Sequence, residues 1–538
     1  MESTSQTIPT QNSNPSIHIN CTCGYNNSLD SLKAEYVKNI SSDVQNKANG
    51  GDDLILILDT ISSTFDFDYE DSIMLFVHRV CKELLVPNVE YAYRMLREYV
   101  KYMALLVLKI QNKIPKTVCE QDLRFIPSAK IFALWRFHIL YSSKYIEFCQ
   151  KLNKGERLHL NINKFFNLDV LETEENLKGF RSSYENFLTV YKYYYGEIAH
   201  PTFWPDFYTN TVEYVFRFCL FPDTYKFLNS KHDFEENTLI PDLLAKSKLM
   251  ELNDFRKDVI DILNKYRETT GMTIESMKNY WKTKVLEDSK YDQETLANKK
   301  IDEFFNGHIS AISEIKSDPE LWKKYVYCRT FSFPENFYYI LSHEMLLDCE
   351  SIDKLVTEYR RFLFLRCYRP KMVFTPSEEV DVVWHLHLNF TFIYLKTTKQ
   401  LLGYEYLHNP TKGGKKELDK HTSLYDATLY IYKKLFGNAG NLNWPGGKER
   451  FTTNPYWFVL TEKYLEGRLE RMHRKKEKEE EKGFVKNFLE LDWKIKVLMI
   501  LFLAICTIAG GYFGRMLSIY GQGKTGFDLK NFENRGGD

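Results

Sequence analysis

Apolar positions along this chain recur mostly at steps of three and four residues, the spacing of a helix buried along one side. Leu252, Phe255, Val259, Ile262 and Tyr266 form one such stripe. It lasts about two heptads, which suits a packed core face better than a coiled coil. Pro stands at the starts of such segments and Gly or Asn at their ends, the usual punctuation of helices. Pro376 precedes Ser377, Glu378 and Glu379, and acidic residues in a first turn favour a helix there. No segment has the strand-and-turn rhythm of a sandwich or the alternation of a doubly wound sheet. The pattern predicts a mainly α protein: two related helical domains joined by a helical linker, then a charged helix and a single transmembrane helix.

The last element rests on Val497 to Gly514, VLMILFLAICTIAGGYFG, which carries no charge over 18 residues. A helix of that length covers about 27 Å, close to a hydrocarbon core. Trp493 and Tyr512 lie near its ends, where aromatic rings favour the membrane interface. Lys482, Lys486, Lys494 and Lys496 precede it, and Arg515 and Lys524 follow. That excess of positive charge places the larger, N-terminal part in the cytosol. No apolar signal-peptide core follows Met1, so the chain reads as tail-anchored. The short span suits a thin internal membrane better than a plasma membrane. Gly510 and Gly514 form a GxxxG through which two spans could pair as a homodimer.

The chain also repeats itself. Residues Pro127 to His159, PSAKIFALWRFHILYSSKYIEFCQKLNKGERLH, align without a gap on Pro376 to His408, PSEEVDVVWHLHLNFTFIYLKTTKQLLGYEYLH, at an offset of 249 (376 − 127). Pro, Ser, Trp, one His, Tyr and the final Leu-His coincide. Upstream, Arg97 to Leu106 (REYVKYMALL) parallels Thr357 to Arg366 (TEYRRFLFLR). Downstream, Tyr184 to Gly196 parallels Tyr425 to Gly437, and each copy then reaches a Trp-Pro pair, Trp204-Pro205 and Trp444-Pro445. Units of about 110 residues, so far apart, make a duplicated domain and not a solenoid.

The expected organisation is a polar, disordered tail (1–50), a first, degenerate repeat domain (51–208), a helical linker region (209–340), a second repeat domain (341–446), a charged juxtamembrane helix (447–496), the span (497–514) and a polar tail (515–538).

Composition narrows the function. Positive and negative residues balance at 72 each among 538, which excludes a nucleic-acid binder relying on bulk charge. The ten Cys have no regular spacing. Cys21 and Cys23 form a lone CxC without the further ligands a structural zinc site needs. No GxxxxGK[ST], GxSxG or HExxH occurs, so the Walker-type phosphate loop, the nucleophile elbow and the zinc-protease helix are missing.

One stretch carries candidate chemistry: Glu379 to Tyr394, EVDVVWHLHLNFTFIY. Read as one helix from Glu379 to Gln400, it sets successive residues about 100° apart. His385 then shares a face with Asp381, four residues earlier, while His387 points elsewhere. An Asp/His pair at that spacing either fixes a histidine tautomer or supplies half of a metal site. The first copy keeps Trp135, His138, Tyr145 and His159 at the places of Trp384, His387, Tyr394 and His408, but puts Phe132 and Arg136 where Asp381 and His385 stand. The shared residues therefore suggest a structural network. Asp381, His385 and His408 are the candidate metal ligands, for a divalent ion such as zinc or iron.

Tyr359-Arg360-Arg361-Phe362, Thr375-Pro376-Ser377, Val380-Asp381-Val382-Val383-Trp384-His385-Leu386-His387, Tyr394, Gly403 and Leu407-His408-Asn409-Pro410 resemble the glycine-rich domain-containing protein-like family. The resemblance covers about 100 residues of the second unit and, in degenerate form, the first. The chain lacks that family's Gly-rich C-terminal region and adds a span. The resemblance implies a domain type and no settled reaction. The expected function is a membrane-anchored, cytosol-facing interaction or scaffold protein with a protein partner. The alternatives are a metal-dependent hydrolase or oxygenase centred on the second unit, and lipid binding in aromatic clefts.

Overall fold

In the computed structural model of the chain, residues 52–64, 76, 80, 89–119, 124–152, 168–218, 239–408, 410, 415–437 and 444–451 are described. They are mainly helical, and no strand occurs among them. All belong to one compact unit. The tail 1–50, Cys21 and Cys23, His159, the charged segment after residue 451 and the span at 497–514 lie outside the described residues. Among the described residues no helix is long and apolar enough to cross a membrane.

Eight helices position the candidate site. They are α1 (Val89–Ile110), α2 (Ala129–Leu140), α3 (Ser142–Leu152), α4 (Glu174–Tyr195), α5 (Cys349–Tyr368), α6 (Glu378–Asn389), α7 (Thr391–Leu402) and α8 (Lys415–Phe436). α1 packs on α2 and α5 on α6, and α2 and α6 also pack against each other. The helices between, from Leu239–Ser247 to Glu335–Glu344, lie in sequence where the linker was expected. One of them, Leu252–Tyr266, carries the predicted stripe and buries Phe255, Val259 and Ile262.

Local chemistry sets the helix ends. The Ser128 hydroxyl accepts from the Ile131 amide at the start of α2, and that of Ser377 from the Val380 amide at the start of α6. Each satisfies an amide that a first turn leaves unpaired. α4 stops at Gly196 and α8 at Gly437, both at positive φ (65° and 76°), a conformation that costs glycine nothing.

Two buried carboxylates organise matching cores. Glu98 accepts hydrogen bonds from the Tyr191 hydroxyl (2.8 Å), the Trp204 indole (2.8 Å) and the Lys101 ammonium (3.1 Å). Glu358 accepts from the Tyr432 hydroxyl (2.5 Å), the Trp444 indole (2.8 Å) and the Arg361 guanidinium (2.5 Å). The Tyr184 hydroxyl donates to the Pro205 carbonyl, and the Tyr425 hydroxyl to that of Pro445. Aligned positions thus make the same contacts in the two parts of the chain.

One expectation needs correction. Glu379 to Gln400 is not one helix: α6 ends at Asn389, Phe390 turns (φ −83°, ψ 55°), and α7 starts at Thr391. No Gly or Pro marks the break. The Asn389 side-chain amide donates to the His385 carbonyl at 2.7 Å. α2 and α3 are separated in the same way at Tyr141 (φ −83°, ψ 57°).

Candidate metal centre

The breaks let each motif helix fold back on the next. The Trp384 indole donates to the Tyr394 hydroxyl (3.0 Å), and that hydroxyl donates to the Tyr406 carbonyl (2.6 Å). Trp135 donates to Tyr145 in the same way (2.8 Å). His387 and His138 are fully buried. The hydrogen-bond partner of His387 is neither Tyr394 nor a second histidine. The His387 Nδ1 meets the Tyr359 hydroxyl at 2.8 Å, and the His138 Nδ1 meets that of Tyr99 at 3.0 Å. Burial pushes both imidazoles down to about 3, with Arg360 adding to the effect on His387, so both are neutral at ordinary pH. Neither lies among the metal candidates. These residues form paired core networks.

A different cluster sits on the other face of α6. The His385 Nε2 lies 3.5 Å from Asp381 Oδ1, one turn back on the same helix. It lies 3.4 Å from the His408 Nε2, on the segment after α7. The ligand atoms of Asp381, His385 and His408 all fall within 4.8 Å of one another. Asp381 and His408 are buried. His385 keeps 13% of its side-chain exposure against 5% for Asp381, so the cluster opens to solvent on the His385 side.

The orientation of His408 is decided by its other nitrogen. Its Nδ1 is 2.7 Å from the Leu140 carbonyl oxygen. A carbonyl only accepts, so Nδ1 carries the proton. In the neutral ring Nε2 then turns a lone pair toward His385 and Asp381. The Trp384 ring meets the His408 ring edge-on at 4.8 Å, and Tyr406 stacks on Trp384. Together they wall the cluster on one side.

Asp381 makes no ion pair with a lysine or arginine among the described residues. Burial pushes its carboxyl up to about 6, against the pull of His408 and Arg450. A buried carboxylate without a close cation is costly, and a bound cation would relieve that cost.

The distances bear on two uses of these three groups. Separations of 3.4 and 3.5 Å exceed the roughly 2.7–3.2 Å of a good N–H···O or N–H···N bond. An ion about 2.05 Å from each of two ligands at a tetrahedral angle holds them roughly 3.3 Å apart, and an octahedral right angle would hold them at roughly 2.9 Å. The two separations are of the size that an ion shared by these ligands would set.

Comparison with known protein families, with curated proteins and with solved structures gives no match to this chain.

The structure thus brings together Asp381, His385 and His408, packs Trp384 against them, and sets His387 and Tyr394 in the core on the other face of α6. Sequence reasoning missed Tyr359 and Glu358, although Glu98-Tyr99 and Glu358-Tyr359 lie inside the upstream parallel. It also missed Leu140 and Ser142, whose contacts with His408 cross 268 and 266 residues of chain. No local signal points to those.

Proposed function

We propose that this protein is a metal-dependent enzyme of hydrolytic type, with a divalent first-row ion, zinc by preference, held by Asp381, His385 and His408. The observation that carries this reading is the convergence of three ligand atoms within 4.8 Å of one another, with the His408 tautomer already fixed. Three protein ligands and one open position make up the usual catalytic zinc set. An ion held there would supply a Lewis acid and a water acidic enough to ionise near neutrality. The chain's own residues do the rest. Asp381 contributes the negative charge. His385 stands at the solvent edge, where a substrate would enter. Trp384 and Tyr406 exclude water from the opposite side.

The matched contacts around Glu98 and Glu358 support the reading that the described part consists of two related domains, only the second of which keeps Asp381 and His385. They are also compatible with membership of the glycine-rich domain-containing protein-like family. A second reading, a membrane-anchored interaction protein, draws on the charge-free run Val497 to Gly514. The two combine without conflict, as a cytosol-facing enzyme held at an internal membrane.

The test is elemental analysis of the full-length protein purified in detergent. About one zinc per chain is expected, as the one three-ligand cluster among the described residues requires, and Asp381→Ala, His385→Ala and His408→Ala should each lose it. His387→Ala should keep the metal but melt at a lower temperature. One iron per chain would move the reaction class toward oxygenation. A parent protein that stays metal-free after zinc supplementation would overturn the proposal.

A further inference from the structure

The third ligand of the centre is held from the other half of the chain. The Ser142 hydroxyl accepts from the His408 backbone amide at 2.6 Å and donates to the His408 carbonyl at 2.9 Å. The Ser142 amide donates to that same carbonyl at 3.2 Å. One residue therefore grips both backbone polar groups of His408, while the Leu140 carbonyl takes the ring proton. Both grips come from the break between α2 and α3. A helix end leaves its last carbonyls and the next helix its first amides without intrahelical partners. Leu140 supplies such a carbonyl and Ser142 such an amide. Ser142 is nearly fully buried, so its hydroxyl works in a low-dielectric setting where a hydrogen bond is strong and its loss is felt.

We infer that Ser142 is a positioning residue of the metal centre: the first unit, which lacks Asp381 and His385, completes the site of the second by fixing the backbone and the ring of His408. This rests on the metal reading above. A histidine ligand whose outer hydrogen bonds are removed loses orientation, and metal affinity drops by roughly ten- to a hundredfold. In the second unit the residue aligned with Ser142 is Thr391, whose hydroxyl donates to Leu388 within its own chain segment. The clamp therefore runs from the first unit to the second.

The experiment is a Co(II) titration of the metal-stripped full-length protein, read by the visible d–d absorption of the ion. Wild type, Ser142→Ala, Ser142→Thr and His408→Ala are compared after circular dichroism has shown equal helix content. The expected result is about tenfold or more weaker binding and an altered band shape in Ser142→Ala, restored toward wild type in Ser142→Thr, with His408→Ala weaker still. A Ser142→Ala variant with wild-type affinity and spectrum overturns the inference and leaves the metal centre standing. Equal losses in the Ala and Thr variants also overturn it, because the hydroxyl is then not what matters. No Co(II) absorption in the wild type overturns the metal reading itself.

Discussion

Glu358 shows how much a single buried group decides. Its carboxylate collects Tyr432 from α8, Trp444 from the segment beyond and Arg361 from its own helix. Arg361 keeps only 4% of its side-chain exposure. Glu358→Ala would leave that cation buried without its carboxylate, a change that costs about 3–5 kcal/mol. Glu98→Ala should cost less, because Lys101 retains a second acceptor in Glu197 at 2.7 Å, half exposed. Urea denaturation of the two variants checks the order, and equal losses would contradict it. A second residue-scale prediction concerns His138. Its folded-state pKa of about 3 lies below the ordinary 6.5 because the ring is buried. The unfolded chain therefore takes up a proton below about pH 6.5 that the folded chain refuses until about pH 3. The neutral ring's contribution to stability is complete above about pH 6.5 and shrinks as pH falls through that window, by about 1.4 kcal/mol per pH unit. Its aromatic neighbours Tyr99 and Tyr145 are pushed upward by burial and do not titrate there. Denaturant midpoints measured from pH 7.5 to 5 should fall more steeply in wild type than in His138→Gln, by about one proton. Parallel slopes would mean that the imidazole is charged in the fold.

At the scale of elements, the sequence was readable where a local pattern caused the structure. The stripe from Leu252 to Ile262 is a buried helix face because its spacing allows nothing else. Ser377 and the acidic residues after it start α6, and Gly437 stops α8. Asp381 and His385 fall on one face because four residues make one turn, and His387 falls on another. The break at Phe390 was not readable. Neither Phe390 nor Tyr141, where the first copy breaks at nearly the same dihedrals, is a helix-breaking residue type. Missing the break hid the return of Tyr394 to Trp384 and the origin of the Leu140–His408 contact, since both need the chain to turn there. The partner of His387 was hidden for another reason. Tyr359 lies 28 residues upstream, on a helix whose packing against α6 no local pattern dictates. Its trace was the Glu-Tyr pair repeated as Glu98-Tyr99 and Glu358-Tyr359. A repeat within one chain reports which residues are kept, but not which of them touch.

For the whole molecule, the proposed metal centre and the proposed anchor lie in different parts of the chain. The cluster of Asp381, His385 and His408 opens on the His385 side, and its third ligand is clamped by residues 266 and 268 positions away. Shortening the chain to the second unit would therefore remove the clamp along with the first unit. The proposed centre would then need both halves, and the proposed anchor lies beyond them, at Val497 to Gly514. Eighteen uncharged residues match a hydrocarbon core of about 30 Å with little to spare. If they span a bilayer, the full-length protein stays with the membrane pellet in alkaline carbonate and leaves it only in detergent. Leu503, near the middle of the run, tests this directly. An arginine at a span centre costs about 2.5–3.5 kcal/mol on insertion scales, so Leu503→Arg should move a substantial fraction into the supernatant. The released fraction should keep its bound zinc, because the ligands and the Ser142 clamp all precede residue 409. Release of the wild type by carbonate alone would end the anchored reading. Loss of zinc together with release would mean that the C-terminal segment packs on the site and does not enter a membrane.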